Sequence, residues 1–118
     1  MSPDCRLTKR QRLLKRSEFL WLSKNGRKTQ NRHFIAVYRR RDDGVSRIGI
    51  TVSRRVGNAV TRNRIKRHCR EAFRCHAIRS VPAMDIMVIA KREAARIDGA
   101  ETRASVEKLF NKIRGDVS

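Results

Sequence analysis

The chain has 118 residues, 39% of them hydrophobic and 35% charged, with a formal net charge of +19 and a pI near 11.6. That length suits one domain, residues 1–118, around a modest core, and the apolar content is too high for a disordered chain. A charge of this size destabilises a folded chain by self-repulsion unless counter-charge arrives, which nucleic acid supplies; an anionic membrane fits less well, because no Trp- or Leu-rich basic helix is present.

The longest clean apolar run, Ile86 to Ala90, is too short to span a bilayer. The opening Met-Ser-Pro-Asp-Cys-Arg lacks the apolar core of a signal peptide. Cys5, Cys69 and Cys75 make an odd count, so the expectation is reduced thiols and a cytoplasmic location.

Residues 1–16 are basic and read as partly irregular, with Leu13 and Leu14 as anchors. Ser17 as N-cap, Glu18 in the first turn and Gly26 just past the end predict a short helix, Glu18 to Lys24. Phe19, Leu20 and Trp21 are adjacent and cannot share one helix face, so at least one meets a groove or solvent. Arg27 to Gln30 could add a short strand. His33 to Arg39 reads as a strand covered on both faces, with Phe34, Ala36 and Tyr38 on one and Ile35 and Val37 on the other.

Asp42-Asp43-Gly44 is a turn signal. Arg47 to Ser53 alternates cleanly, Ile48, Ile50 and Val52 against Gly49, Thr51 and Ser53. The two strands are expected to form a hairpin, and the small second face to leave an open sheet surface. Gly57-Asn58 turns the chain, and Asn58 caps a helix running to about His76. Pro82 breaks the next loop, Asp85 to Lys91 is a buried strand, and a last helix runs from Gly99 to Arg114. Asp98 and Glu101 have capping-box spacing, Val106, Leu109, Phe110 and Ile113 form an apolar stripe, and Gly115 ends the helix. From Glu93 to Asp116 five acids balance five bases, so this end reads as scaffold.

The helix after Asn58 carries the charge. Seven of the seventeen residues from Arg54 to Arg70 are Arg or Lys, and no acid falls between Asp43 and Glu71. Ile65, Cys69, Ala72 and His76 share one face, with Phe73 on its flank. Arg62, Asn63, Lys66, Arg67, Arg70 and Arg74 fill the other, with Arg64 at the border. Like charges four apart each cost about 0.2–0.5 kcal/mol, and Arg67–Glu71 is the one offset at that spacing. An ordinary solvated face carries both signs; this one points to a polyanion.

His68-Cys69 and Cys75-His76 resemble zinc ligands only superficially. Cys69 and His76 lie about 10.5 Å apart along a helix, whereas zinc bonds are about 2.0–2.3 Å. Nor do the residues assemble a catalytic group. His33 is far in sequence from His68 and His76, no glycine-rich phosphate loop is present, and no acidic cluster could hold two metals. Neither a catalytic nor a metal-ligating residue is assigned.

The run Val56-Gly57-Asn58-Ala59-Val60-Thr61-Arg62-Asn63-Arg64-Ile65-Lys66-Arg67, with Arg70-Glu71, closely resembles the signature of the bacterial ribonuclease P protein subunit. The resemblance spans nearly the whole chain, including Ser17-Glu18-Phe19, Ile48-Gly49-Ile50-Thr51-Val52-Ser53-Arg54-Arg55 and Asp85-Ile86-Met87-Val88-Ile89-Ala90-Lys91. It implies an α+β fold in α-β-β-β-α-β-α order: a mixed, mainly antiparallel sheet packed by helices, ribosomal-protein-like, with a left-handed βαβ crossover. Handedness rules alone would have given the opposite hand.

The resemblance also implies a partner RNA that is itself the catalyst, cleaving precursor tRNA at its mature 5′ end with magnesium. The protein is then expected to bind no cofactor tightly. By family match Arg54, Arg55, Arg62, Asn63, Arg64, Lys66, Arg67 and Arg70 lie on or beside the catalytic RNA. Phe19, Ile35 and Val37 match positions of a groove for the single-stranded 5′ leader, with Thr51 and Arg55 as polar contacts. Ordinary core packing is the competing reading for Phe19. Many members carry a second Phe one turn after the first; here that position is Ser23, so the platform is expected to be smaller or rebuilt around Trp21. Two other functions compete: a structural RNA-binding protein of ribosomal type with no processing role, and a self-sufficient ribonuclease, which needs a protein general base that the sequence does not offer.

Overall fold

In the computed structural model, residues 16–42, 44–76 and 83–117 are described. Cys5, Leu13, Leu14, Asp43 and Pro82 therefore lie outside the described residues. The elements are α1 (Arg16–Asn25), β1 (Arg27–Gln30), β2 (Phe34–Arg40), β3 (Arg47–Thr51), α2 (Ala59–Arg74), β4 (Met84–Ala90) and α3 (Gly99–Val117), with a 3-10 helix at Arg92–Arg96. This is the expected α+β order; the 3-10 turn is an addition the sequence reading did not contain.

The expected hairpin is not there. The sheet order is β1-β2-β4-β3, with β1–β2 and β2–β4 antiparallel and β3–β4 parallel. The chain after β2 steps across the start of β4 before entering β3. Arg41 donates its backbone N–H to the Ala83 carbonyl at 2.8 Å, and Met84 donates to the Ser46 hydroxyl at 3.0 Å. Gly44 takes the bend at φ +85°, a region that favours glycine. The physical reason lies in β4. Its residues are apolar on both parities, so it gains most from a central place with a strand on each side and helices on both faces. β3 and β4 are consequently the two strands of a βαβ unit around α2.

One face of the sheet holds the main core. Phe34, Ala36, Ile48, Met84, Ile86 and Val88 pack there against Ile65, Cys69, Ala72 and Phe73 of α2 and Val106, Leu109, Phe110 and Ile113 of α3. Phe73 and Phe110 meet edge-on at 6.0 Å. Burial of Cys69 raises its thiol to about pKa 12, so it packs as a small apolar residue. The capping box forms as read: Glu101 donates its N–H to Asp98 Oδ1 at 2.8 Å, and Asp98 returns its own to Glu101 at 3.4 Å.

Gly115 does not end α3, which runs on to Val117. The cause is a contact that sequence spacing does not reveal. Asp116 Oδ2 accepts from the Tyr38 hydroxyl at 2.7 Å and from Arg27 at 2.6 Å, so the last turn is fastened to β1 and β2. These two donors hold the Asp116 carboxyl below its ordinary pKa. Burial first, and then the bond to Asp116, lift Tyr38 to about 12.

Candidate nucleic-acid interface

Helix α2 begins where Asn58 accepts the Thr61 N–H at 2.9 Å. Gly57 precedes it because a side chain there would strike Thr61: an added Cβ would lie 2.9 Å from its Cγ2. Val52 and Val56 are buried, which pins the turn between β3 and α2 and leaves Arg54 and Arg55 exposed. Ile65, Cys69, Ala72 and Phe73 face the core. Asn63, Arg64, Arg67 and Arg70 are exposed, and Arg62 and Lys66 half-buried. All eight residues expected at the catalytic RNA therefore fall on α2 or the turn that feeds it.

The expected Arg67–Glu71 offset is replaced. Glu71 lies 3.8 Å from Arg74 and 3.6 Å from Arg103 of α3, and 3.7 Å from His68. Arg103 also donates to His68 Nδ1 at 2.8 Å, so His68 accepts through an unprotonated nitrogen. Burial, then the Arg103 and Arg67 charges, push the His68 pKa below its ordinary value. Gly99 opens α3 against that ring, since a Cβ there would sit 2.5 Å from two of its atoms. Glu71 is thus turned toward the α2–α3 seam. Among the described residues, no ion pair joins a carboxylate to Arg54, Arg55, Arg64, Arg67 or Arg70. Arg103 and His68 border this face, and sequence reasoning missed both because their meeting depends on how α3 crosses α2.

The second sheet face is built in rows. Gln30, Ile35, Ile89 and Thr51 share one row across the four strands; Lys28, Val37, Met87 and Gly49 share the next; Arg39, Asp85 and Arg47 share the third. Helix α1 crosses the last two. Leu22 packs on Val37 and Met87, Glu18 pairs with Arg47 at 2.5 Å, and Trp21 lies against Arg39. The first row stays partly open: Ile35 and Ile89 are half-buried, Gln30 and Thr51 exposed. Phe19, half-buried, packs on the same small cluster from α1. Phe19, Ile35 and Thr51 are therefore brought to one trough, with Arg55 four residues beyond Thr51.

Two expectations change here. Val37 is 1% exposed, so it floors the trough beneath α1 and offers no contact surface. Trp21 does not replace the missing second Phe. Two residues along a helix turn it about 200° from Phe19, and its ring lies 4.7 Å from the Arg39 guanidinium, outside the apolar cluster. Ile89, which completes the open row, could be placed only once β4 was known to lie beside β2 and β3.

Among the described residues, no group of three His, Cys, Asp or Glu side chains could hold a metal ion, and no helix is long and apolar enough to cross a membrane. A family model described as ribonuclease P matches residues 7–114. The ribonuclease P protein component of Desulfatibacillum aliphaticivorans is 47% identical over 106 residues, 90% of each chain. That of Staphylococcus epidermidis RP62A is 42% identical over 113 residues, 90% of this chain and 97% of its own. Among solved structures, Staphylococcus aureus RNase P protein superposes with a TM-score of 0.81 at 34% identity, over 89% of this chain and 96% of its own. The Thermotoga maritima RNase P protein gives 0.77 at 33%, over 87% and 97%. The chain belongs to the ribonuclease P protein family.

Proposed function

We propose that this chain is the protein component of a ribonuclease P, in which a catalytic RNA removes the 5′ leader of precursor tRNA and the protein binds both that RNA and the leader. The observation that carries the reading is the separation of two surfaces on one small fold. Among the described residues, Arg64, Arg67 and Arg70 on the α2 face and Arg54 and Arg55 on its feeding turn join no carboxylate in an ion pair, which suits a folded RNA backbone. The trough of Phe19, Ile35, Ile89 and Thr51 presents apolar and polar groups side by side, which suits unpaired bases. Arg55 stands between the two and serves either.

Chemistry is assigned to the RNA. The carboxylates nearest these surfaces are held in ion pairs, Glu71 by Arg74 and Arg103, Glu18 and Asp85 by Arg47. Such groups do not fit a resident metal or a free general base, which supports a magnesium ion held by the RNA and not by the protein. The ribosomal-type alternative shares a basic helix on a sheet, and the family match favours the processing role. The test is reconstitution. Protein freed of RNA should leave precursor tRNA intact, and addition of a catalytic RNA subunit should restore cleavage at the mature 5′ end. Site-specific cleavage by the protein alone would overturn the assignment.

A further inference from the structure

The outer side of α1 belongs to neither surface. Leu20 is 54% exposed there and Trp21 50%. Arg39 reaches up from β2 to place its guanidinium 4.7 Å from the Trp21 ring centroid, within range of cation–π attraction. Beside this pair opens a cleft of about 340 Å³ lined by Asn25, Arg27, Tyr38, Arg39, Arg40 and Asp116. Three guanidiniums face one carboxylate in that lining. Asp116 is occupied by Arg27 and Tyr38 through one oxygen, and the Asn25 amide donates to the Trp21 carbonyl at 2.9 Å. Arg39 and Arg40 are exposed, and among the described residues no ion pair joins either to a carboxylate.

We infer that Trp21, Arg39 and Arg40 form a second single-stranded RNA site, on the far side of α1 from the Phe19 trough. A base stacks on the exposed part of the indole, and the adjoining phosphates pair with the two guanidiniums. The cleft, lined by both arginines, gives the adjoining phosphates room. Charge alone would also suit an acidic peptide, but a peptide of carboxylates has no flat group for the indole, whereas each nucleotide brings a base and a phosphate together. Arg39 serves twice: it holds the ring by cation–π contact and keeps donors free for phosphate.

Trp21 is the only tryptophan in the chain, so its fluorescence reports this site directly. Titration of the full protein with a single-stranded uridine hexanucleotide should give a saturable change in Trp21 emission. In the Arg39→Gln, Arg40→Gln double variant the midpoint should rise about tenfold, and the slope of log affinity against log salt should become shallower by about 1.4, two phosphate contacts at 0.7 each. Both positions are exposed, so the fold should persist. Arg92→Gln, an exposed arginine on the 3-10 helix outside all three surfaces, should leave the midpoint unchanged. Three results would overturn the site: no saturable emission change, an unaltered midpoint in the double variant, or an equal response to polyglutamate at matched charge. The last would make the patch a dock for an acidic protein.

Discussion

Arg47 is the residue through which α1, and with it the trough, is fixed to the sheet. Its Nε and Nη2 donate to the two oxygens of Asp85 at 2.8 and 2.9 Å, and its Nη1 donates to Glu18 at 2.5 Å. The side chains of Arg47, Asp85 and Glu18 are 23%, 16% and 25% exposed. Arg47→Met keeps the apolar stem and removes the fork. Breaking a fully buried pair costs about 3–5 kcal/mol, and partial exposure lowers that. Asp85 also retains Arg41 at 3.6 Å. About 2 kcal/mol is therefore expected, which for a chain of 118 residues is a fall in Tm of about 8 °C. Urea unfolding should show a lower midpoint with an unchanged slope. Glu18→Gln alone should cost about 1 kcal/mol or less, and in the double variant the losses should fall short of additive, because both remove the same bond. Binding of long-leader precursor tRNA should weaken with Arg47→Met more than that of a one-nucleotide leader, as α1 loosens over the trough. A loss under about 0.5 kcal/mol, the usual limit for a neutral surface substitution, would refute this account of how α1 is held.

The two proposed RNA surfaces should separate by mutation. Arg64→Ala should weaken assembly with the catalytic RNA whatever the leader length. Phe19→Ala should weaken long-leader substrates by about 1–3 kcal/mol for each base unstacked, and leave assembly intact; a well-folded variant losing equally with both leader lengths would return Phe19 to the core. If about five to seven phosphates are neutralised, log affinity for the catalytic RNA should fall with log salt at a slope of about −3.5 to −6, and a slope near zero would contradict an electrostatic interface. His68 should make stability depend on pH. Its folded pKa is lowered, mainly by burial and then by Arg103 and Arg67, so the unfolded chain gains protons first as pH falls. The His68 contribution is complete above about pH 6.5, its unfolded value, and is lost as pH falls toward and through the lower folded value. From pH 7.5 to 5 the fall in Tm should be steeper in the natural protein than in His68→Gln; equal slopes would remove His68 from the account.

Most helix and strand positions were legible because each follows from local spacing, although α1 starts at Arg16, ahead of the Ser17 expected to cap it. The Asn58 cap, the Ile65–Cys69–Ala72 face and the apolar stripe of α3 all reappear where their periods put them. What sequence could not give was which strands pair. Gly44 marked a turn correctly, but the turn leads past β4 rather than back along β2. Only the two-sided apolar character of β4 hinted that it belonged in the middle. The same gap explains the trough: Ile35 and Thr51 could be matched to it by resemblance, whereas Ile89 required the register. Val37 shows the converse error. Its parity was right, but its burial depends on where Leu22 of α1 comes to rest.

The placement of the ion-paired acids accounts for how so basic a chain folds while its α2 face stays open. Each carboxylate in an ion pair fastens separate elements. Glu18 and Asp85 join α1, β3 and β4 through Arg47; Glu71 joins α2 to α3 through Arg103; Asp116 joins α3 to β1 through Arg27. The Arg47 contacts neutralise charge where the side chains are largely buried and desolvation makes an unpaired ion costly, whereas the Arg27–Asp116 pair lies at the surface. Among the described residues, exposed arginines in no ion pair with a carboxylate stand on the α2 face, its feeding turn and the end of β2, in water, where repulsion is screened over about 8–10 Å. Had Glu18, Glu71, Asp85 and Asp116 lain on the α2 face instead, these carboxylates would compete with phosphate for its guanidiniums. The placement of these four in the seams leaves the exposed arginines of the α2 face open, at the cost of a repulsive surface that a polyanion relieves on binding.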